Sequence, residues 1–121
     1  MGGDRRKAGQ FGEQAAAGYL TEKGYRVTAR NFRCRFGEVD IIAETPEYLV
    51  FVEVKLRKNA SFAAAREFVT PAKQRRIILT AEYWLRAHPT KKQPRFDVIE
   101  IYGAVGRIET MNHIENAFGV W

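Results

Sequence analysis

The chain of 121 residues has a single cysteine, Cys34, so no disulfide can form within it and no cysteine-rich zinc site can be assembled. A reducing, cytoplasmic location is the expectation. Only two histidines are present, His88 and His113, and neither has a Cys or His partner at metal-ligand spacing, so both read as bystanders. No stretch approaches the roughly 20 apolar residues of a membrane span, and Met1 to Gln10 is polar and basic without the apolar centre of a secretory signal. Membrane insertion and export are therefore not expected. Repeats, low-complexity tracts and linkers are also lacking. Acidic residues are the scarcer charge, 14 against 20 Lys and Arg, which gives a net charge of +6. That balance favours an anionic partner, with nucleic acid first among the candidates. A composition 45% hydrophobic and 28% charged is that of a folded domain. The length fits one domain over residues 1–121, with 1–8 expected as a flexible N-terminal tail.

From Ala8 to Lys23 the apolar residues Phe11, Ala15, Ala16, Tyr19 and Leu20 recur at helical spacing, and Gly24 follows where a left-handed C-terminal cap would sit. Tyr25 to Arg33 alternates loosely, as a strand with one wetted face would. Glu38–Glu44 and Tyr48–Leu56 are rich in Val, Ile and Phe and flank Thr45-Pro46-Glu47, the pattern of a hairpin whose strands are covered on both faces. Lys58 to Phe68 has no clear period. Thr70-Pro71 is a strong helix start, and Ile77, Ile78, Ala81, Trp84 and Leu85 supply the apolar stripe until His88-Pro89. A fourth strand is expected over Arg95–Tyr102 and a last one near Arg107–Met111. This order of helices and strands describes an α/β domain with a mixed sheet.

Within the hairpin, Glu53 and Lys55 are two residues apart, so their side chains leave the same face of the strand. Ionised groups in such an apolar segment cost several kcal/mol unless they are paired or coordinated. A turn centred between Pro46 and Glu47 sets Asp40 opposite Glu53. Two opposed carboxylates repel, and a cation between them relieves the repulsion. Hard oxygen ligands suit Mg²⁺ or Mn²⁺. The chemistry this supports is phosphodiester hydrolysis, in which a bound metal polarises a phosphoryl oxygen and activates a water, while the Lys55 ammonium orients that water or offsets charge at phosphorus. The bland alternative is an internal salt-bridge cluster, which two carboxylates against one lysine would leave unbalanced.

Asp40, twelve intervening residues and then Glu53-Val54-Lys55 resembles the PD-(D/E)XK motif of restriction-endonuclease-like nucleases, with the motif's first proline absent. The wider set of Gly12-Glu13, Gly37-Glu38-Val39-Asp40, Phe51-Val52-Glu53-Val54-Lys55 and Arg95-Phe96-Asp97 is similar to the YraN family of bacterial proteins, over roughly Gly9 to Tyr102. The resemblance implies a restriction-endonuclease-like mixed β-sheet flanked by helices, shared with archaeal Holliday-junction resolvases. It also implies a metal held by Asp40, Glu53 and the Val54 backbone carbonyl, with Glu13 joining from the first helix through a water. The implied activity is endonucleolytic cleavage of DNA at branched or single-stranded features, with a homodimer where a junction is cut symmetrically. The alternative is a non-catalytic nucleic-acid-binding or assembly module that keeps the fold.

Arg30, Arg33, Arg35, Arg57, Lys58, Arg75, Arg76, Lys91, Lys92 and Arg95 are available to line a nucleic-acid track, with the patch of Arg30 to Arg35 and Arg57-Lys58 favoured because it flanks the proposed metal strands, and with Phe32 and Phe36 available to stack on unpaired bases. Lys73 and Gln74 extend the sheet-facing stripe of the second long helix at its N-terminal end, where the helix dipole favours phosphate. Resolvase-like enzymes carry a Lys or Gln that either could match. Glu38 shares a strand face with Asp40, which makes it a candidate accessory ligand, but it reads first as strand-end solvation. Asp97 reads either as a cap for a neighbouring backbone group or as an outer ligand. Tyr83 and Trp84 read as packing.

Overall fold

The computed structural model describes residues 2–57 and 69–119. In chain order the elements are α1 (Gly2–Glu22), β1 (Arg26–Cys34), β2 (Gly37–Glu44), β3 (Tyr48–Arg57), α2 (Pro71–Ala87), β4 (Gln93–Ala104) and β5 (Arg107–Phe118). The strands form one sheet in the order β1-β2-β3-β4-β5. Pairing is antiparallel throughout except for β3 and β4, which run parallel. Short turns can join antiparallel neighbours, whereas a parallel pair needs a crossover, and α2 lies in that crossover. The result is the expected α/β architecture with a mixed sheet and helices. Lys58 and the stretch to Phe68, for which the sequence shows no clear period, lie outside the described residues.

The hairpin register follows from the turn. Ile41 pairs with Val52, Ile42 with Phe51, Ala43 with Val50 and Glu44 with Leu49, as a turn centred on Pro46 and Glu47 requires. Both faces of these strands are covered. On one face Ile42, Leu49, Phe51, Phe96 and Val98 pack with Ile77, Ala81 and Trp84 of α2. On the other, Ile41, Val50, Val52, Ile99 and Ile101 pack with Ala16 and Leu20 of α1. This double burial explains why β3 reads as almost continuously apolar instead of alternating.

Each helix end has a local cause. At the end of α1 the Tyr25 N–H donates to the Leu20 carbonyl (2.9 Å) and the Gly24 N–H to that of Thr21 (3.0 Å), with Gly24 at φ 97°. Only glycine takes that backbone conformation without strain, so the helix stops where the sequence indicates. The same helix begins at Gly2, so it runs through most of the stretch expected as a tail. Arg5, Arg6, Lys7 and Ala8 are all good helix formers and no proline interrupts them. Thr70 caps α2, its hydroxyl accepting from the Lys73 N–H at 3.2 Å, and Pro71 occupies the first helical position. β5 continues to Phe118, well beyond the expected Met111, and Phe118 stacks on Phe96.

Candidate functional site

The β2–β3 ladder ends at the Ile41–Val52 pair, and just beyond it the carboxyl groups of Asp40 of β2 and Glu53 of β3 come within reach of each other and line one cleft. Here the Val54 N–H donates to Oδ2 of Asp40 at 2.8 Å, so the Asp40 side chain takes up a backbone donor of β3. Alternation from Leu49 and Phe51 turns Glu53 and Lys55 toward the α2 side. Glu53 is buried, and its Oε2 lies 3.5 Å from Nζ of Lys55 and 2.7 Å from Nζ of Lys73. The Thr70-Pro71 helix start fixes where Lys73 emerges, in the first turn of α2. Glu38, Asp40, Glu53, Lys73, Arg76 and Ile77 line a cleft of about 190 Å³.

The charges here are crowded. Burial first, then the Glu53 carboxylate beside it and Glu13 farther off, push the Asp40 carboxyl up to about 8, against the lowering effect of the Val54 N–H. Burial works to lower the Lys73 ammonium, but its bond to Glu53 and the attraction of Glu53 and Asp40 outweigh it and hold its pKa above the ordinary lysine value. Asp40 thus keeps its proton, and Lys73 its charge, to higher pH than either would in water. Among the described residues no group of three His, Cys, Asp or Glu side chains converges tightly enough to hold a metal by itself. The donor set still fits magnesium, which characteristically takes one or two carboxylates and completes its octahedron with waters and substrate phosphate.

The other expected residues are distributed unevenly. Glu13 rides on α1 beside Gly12, which is buried against Val54 and Leu56; Glu13 does not line the cleft, and it reaches Asp40 through its charge. Gln74 turns away, its Nε2 donating to the Val69 carbonyl at 2.9 Å. Arg33 is exposed and pairs with Glu38 at 3.3 Å, and Arg35 lies over the Phe36 ring at 4.9 Å. Arg57 is largely buried 3.5 Å from the Glu100 carboxylate, so it faces the protein more than a ligand. Lys58 is outside the described residues. Two cleft residues carry less weight in the sequence reading than the structure gives them: Arg76, one turn after Lys73 and there only one of many basic residues, and Glu38, there an accessory ligand at most and more simply strand-end solvation.

A second polar cluster lies on the α1 side. The fully buried Asp97 accepts from Nε and Nη2 of Arg95 (2.9 and 2.8 Å) and from the Asn116 N–H (3.0 Å), and its Oδ2 lies 2.7 Å from Nε2 of His113. Tyr19 Oη meets the other ring nitrogen of His113 at 3.1 Å, and Arg95 donates to Tyr25 Oη at 2.7 Å. His113, which the sequence marks as a bystander, is therefore a buried structural partner. Asp97 does cap a backbone N–H, the first of the two roles expected for it. Although burial acts to raise the Asp97 carboxyl, the bonds from His113, Arg95 and Asn116 prevail and keep it below the usual carboxylate range.

Residues 12–101 match the model of the uncharacterised protein family UPF0102. A UPF0102 protein of Pelobacter propionicus is 47% identical over 118 residues, spanning 95% of this chain and 84% of that relative. One from Symbiobacterium thermophilum is 47% identical over 115 residues, covering 93% and 97% of the two chains, and one from Caldanaerobacter subterraneus is 41% identical over 118 residues, covering 95% and 97%. The match takes in β2, β3, the first turns of α2 and all the cleft residues, and the chain belongs to the uncharacterised protein family UPF0102, the YraN family.

Proposed function

We propose that this chain is a metal-dependent endonuclease-like protein that hydrolyses phosphodiester bonds in DNA, with Mg²⁺ or Mn²⁺ as its cofactor. The observation that carries this reading is the meeting of Asp40 and Glu53, two carboxylates from adjacent strands, in a cleft lined also by Lys73 of α2, with the Lys55 ammonium of β3 3.5 Å from Glu53. Ionising Asp40 beside Glu53 is costly to the metal-free fold, and a divalent cation would turn that cost into affinity. Asp40 and Glu53 would be the direct carboxylate ligands, with the Val54 carbonyl and, through a water, Glu13 completing the protein's share. A hard cation in this place supplies a Lewis acid for a phosphoryl oxygen and a water acidified for attack. Lys55 is placed to orient that water or to offset charge on the phosphorus. Lys73, at the positive end of α2, would be a second cation for the phosphate if Glu53 held the metal. A cytoplasmic setting accords with the unpaired Cys34.

Cleavage of junction, flap and single-stranded DNA should appear on titration with Mg²⁺ or Mn²⁺ and fall at least about 100-fold in Asp40→Ala and Lys55→Met, the scale expected when a ligand or a charge-stabilising group is removed. Intact substrates at every metal concentration, or an Asp40→Ala protein that cuts like the parent, would overturn the hydrolytic reading. Where a junction is cut on both sides, sedimentation should find two copies on it.

One observation favours a second reading, that of a non-catalytic nucleic-acid-binding module. The Lys73 ammonium already sits 2.7 Å from Glu53, so the cleft can balance Glu53 from within. A module of this kind binds with a steep salt dependence and tolerates Glu53→Gln without losing affinity.

A further inference from the structure

Beside the cleft, the β1–β2 turn and the outer side of α2 form an aromatic ledge. Phe36 sits in the turn with the Arg35 guanidinium over its ring at 4.9 Å, and the Tyr83 ring of α2 stands 6.3 Å from it, centroid to centroid. Phe32 lies underneath, 6.2 Å from Tyr83 and edge-on to the buried Trp84 at 5.0 Å. Core packing accounts for Phe32 but not for Tyr83, which stays 44% exposed, one of the few large apolar side chains left open among the described residues. The turn is seated firmly on the helix. A Cβ added at Gly37 would stand 3.2 Å from Oγ1 of Thr80 and 3.4 Å from Cβ of Arg76, so the backbone beside Phe36 lies against α2 with little room to spare.

Arg76 therefore belongs to both places, since it lines the cleft and abuts the turn that carries Phe36. Tyr83 follows it by seven residues, roughly 10 Å along the helix axis at 1.5 Å per residue. Stacked nucleotides advance about 3.4 Å each along a strand, so the ledge stands about three nucleotides from the cleft wall. Both ends of this path are basic, Arg76 at the cleft and Arg35 over Phe36, which suits a phosphate backbone running between them. An open aromatic face takes a base only if that base is out of a duplex, because pairing and stacking within the helix hide its π surface.

We propose that Phe36 and Tyr83 form a stacking site for unpaired bases of the strand whose backbone enters the Asp40–Glu53 cleft, so that the ligand is single-stranded nucleic acid or the unpaired arm of a branched one. This rests on the cleft as a phosphate site and adds to it the feature by which substrate is told apart from plain duplex.

Binding of fluorescent oligo-dT, oligo-U and a blunt DNA duplex, measured by anisotropy in EDTA, tests the ledge without any cleavage. Tyr83→Ala should lose about 5- to 150-fold in affinity for the single strands, the range that one base–aromatic stack supports, while duplex affinity changes by less than about twofold. Tyr83→Trp should restore single-strand affinity, and its added indole emission should be quenched by oligo-dT or oligo-U. Unchanged single-strand affinity in a folded Tyr83→Ala protein, or an equal loss for the duplex, would overturn the stacking site. Cleavage by the parent with no effect at Tyr83 removes the ledge alone; a Tyr83 effect without cleavage removes the hydrolytic reading alone; and no single-strand affinity together with no cleavage at any metal concentration removes both.

Discussion

Asp40 and Asp97 stand on either side of β3, and the fold treats them in opposite ways. Asp97 is fully buried yet has Arg95, His113 and a backbone N–H around it, and its carboxyl is held below the ordinary range. Asp40 is only partly buried and has one backbone donor, with the Glu53 carboxylate as the charge that acts on it most strongly, and it is pushed up to about 8. Burial of an acidic side chain therefore does not mark a functional place. What separates the two is whether the surroundings complete the charge, and only at Asp40 is something further called for.

The sharpest way to break this contrast is to remove each aspartate in turn. Asp97→Ala would strand the Arg95 guanidinium and His113 in the interior, and we expect a loss of about 3–5 kcal/mol in denaturant unfolding. A loss under about 1 kcal/mol would mean that the network contributes little. Asp40→Asn should do the reverse. The new amide keeps an oxygen for the Val54 N–H and can donate to Glu53, so at pH 9 without metal the variant should be more stable by about 1 kcal/mol while Mg²⁺ no longer gives a binding heat in calorimetry. A variant that retains Mg²⁺ binding would remove Asp40 from the ligand set.

Acidity should separate the two groups in the same manner. The folded-state value of Asp97 is lowered, so its contribution is present above its unfolded value of about 3.9 and is lost as the pH falls through that region. Asp40 is raised, so the metal-free fold is favoured while Asp40 keeps its proton and loses that share of stability as the pH climbs from about 4 through about 8. Urea midpoints at pH 5, 7 and 9 should decline in the parent and decline less in Asp40→Asn. Parallel curves would remove Asp40 as their cause.

The smallest effect is expected at the surface. Glu44 accepts from Lys92 (2.7 Å), Thr28 (2.8 Å) and Arg26 (3.0 Å), and these bonds lower it to about 2. Solvent screens such groups, so Lys92→Ala should cost less than about 1 kcal/mol in the same unfolding experiment. A cost of several kcal/mol would place this cluster with Asp97 and spoil the distinction between completed interior networks and solvated pairs.

Much of the cleft was legible in the sequence because it depends on short-range rules. The Thr45–Glu47 turn sets the hairpin register, alternation puts Glu53 and Lys55 on one face, and Thr70-Pro71 starts α2 so that Lys73 looks toward the sheet. What the sequence could not specify was how far each side chain reaches. Lys73 was expected at a phosphate and bonds Glu53, while Gln74, one position later, satisfies the Val69 carbonyl just outside the helix. The Asp97–His113 contact was hidden for a different reason. It depends on the β4–β5 register, which shifts between Phe96 and Val98 near Asn116 at φ 53°, and an irregularity of that kind leaves no periodic trace.

The parallel pairing of β3 with β4 bears on the order in which the molecule assembles. β1, β2 and β3 close through contacts near in sequence, whereas the first β3–β4 pair joins Tyr48 to Gln93 across the whole crossover. Pairings of low contact order form faster because less chain entropy is lost before they are rewarded. Pulsed hydrogen exchange should accordingly protect the β2–β3 amides ahead of those in β4, and simultaneous protection would contradict that sequence of events. On such a path the two carboxylates are brought near each other by the hairpin, with Lys55 their one neighbouring ammonium, before the helix carrying Lys73 has docked, so the nascent hairpin is the stage at which solution cations have most to offer this chain.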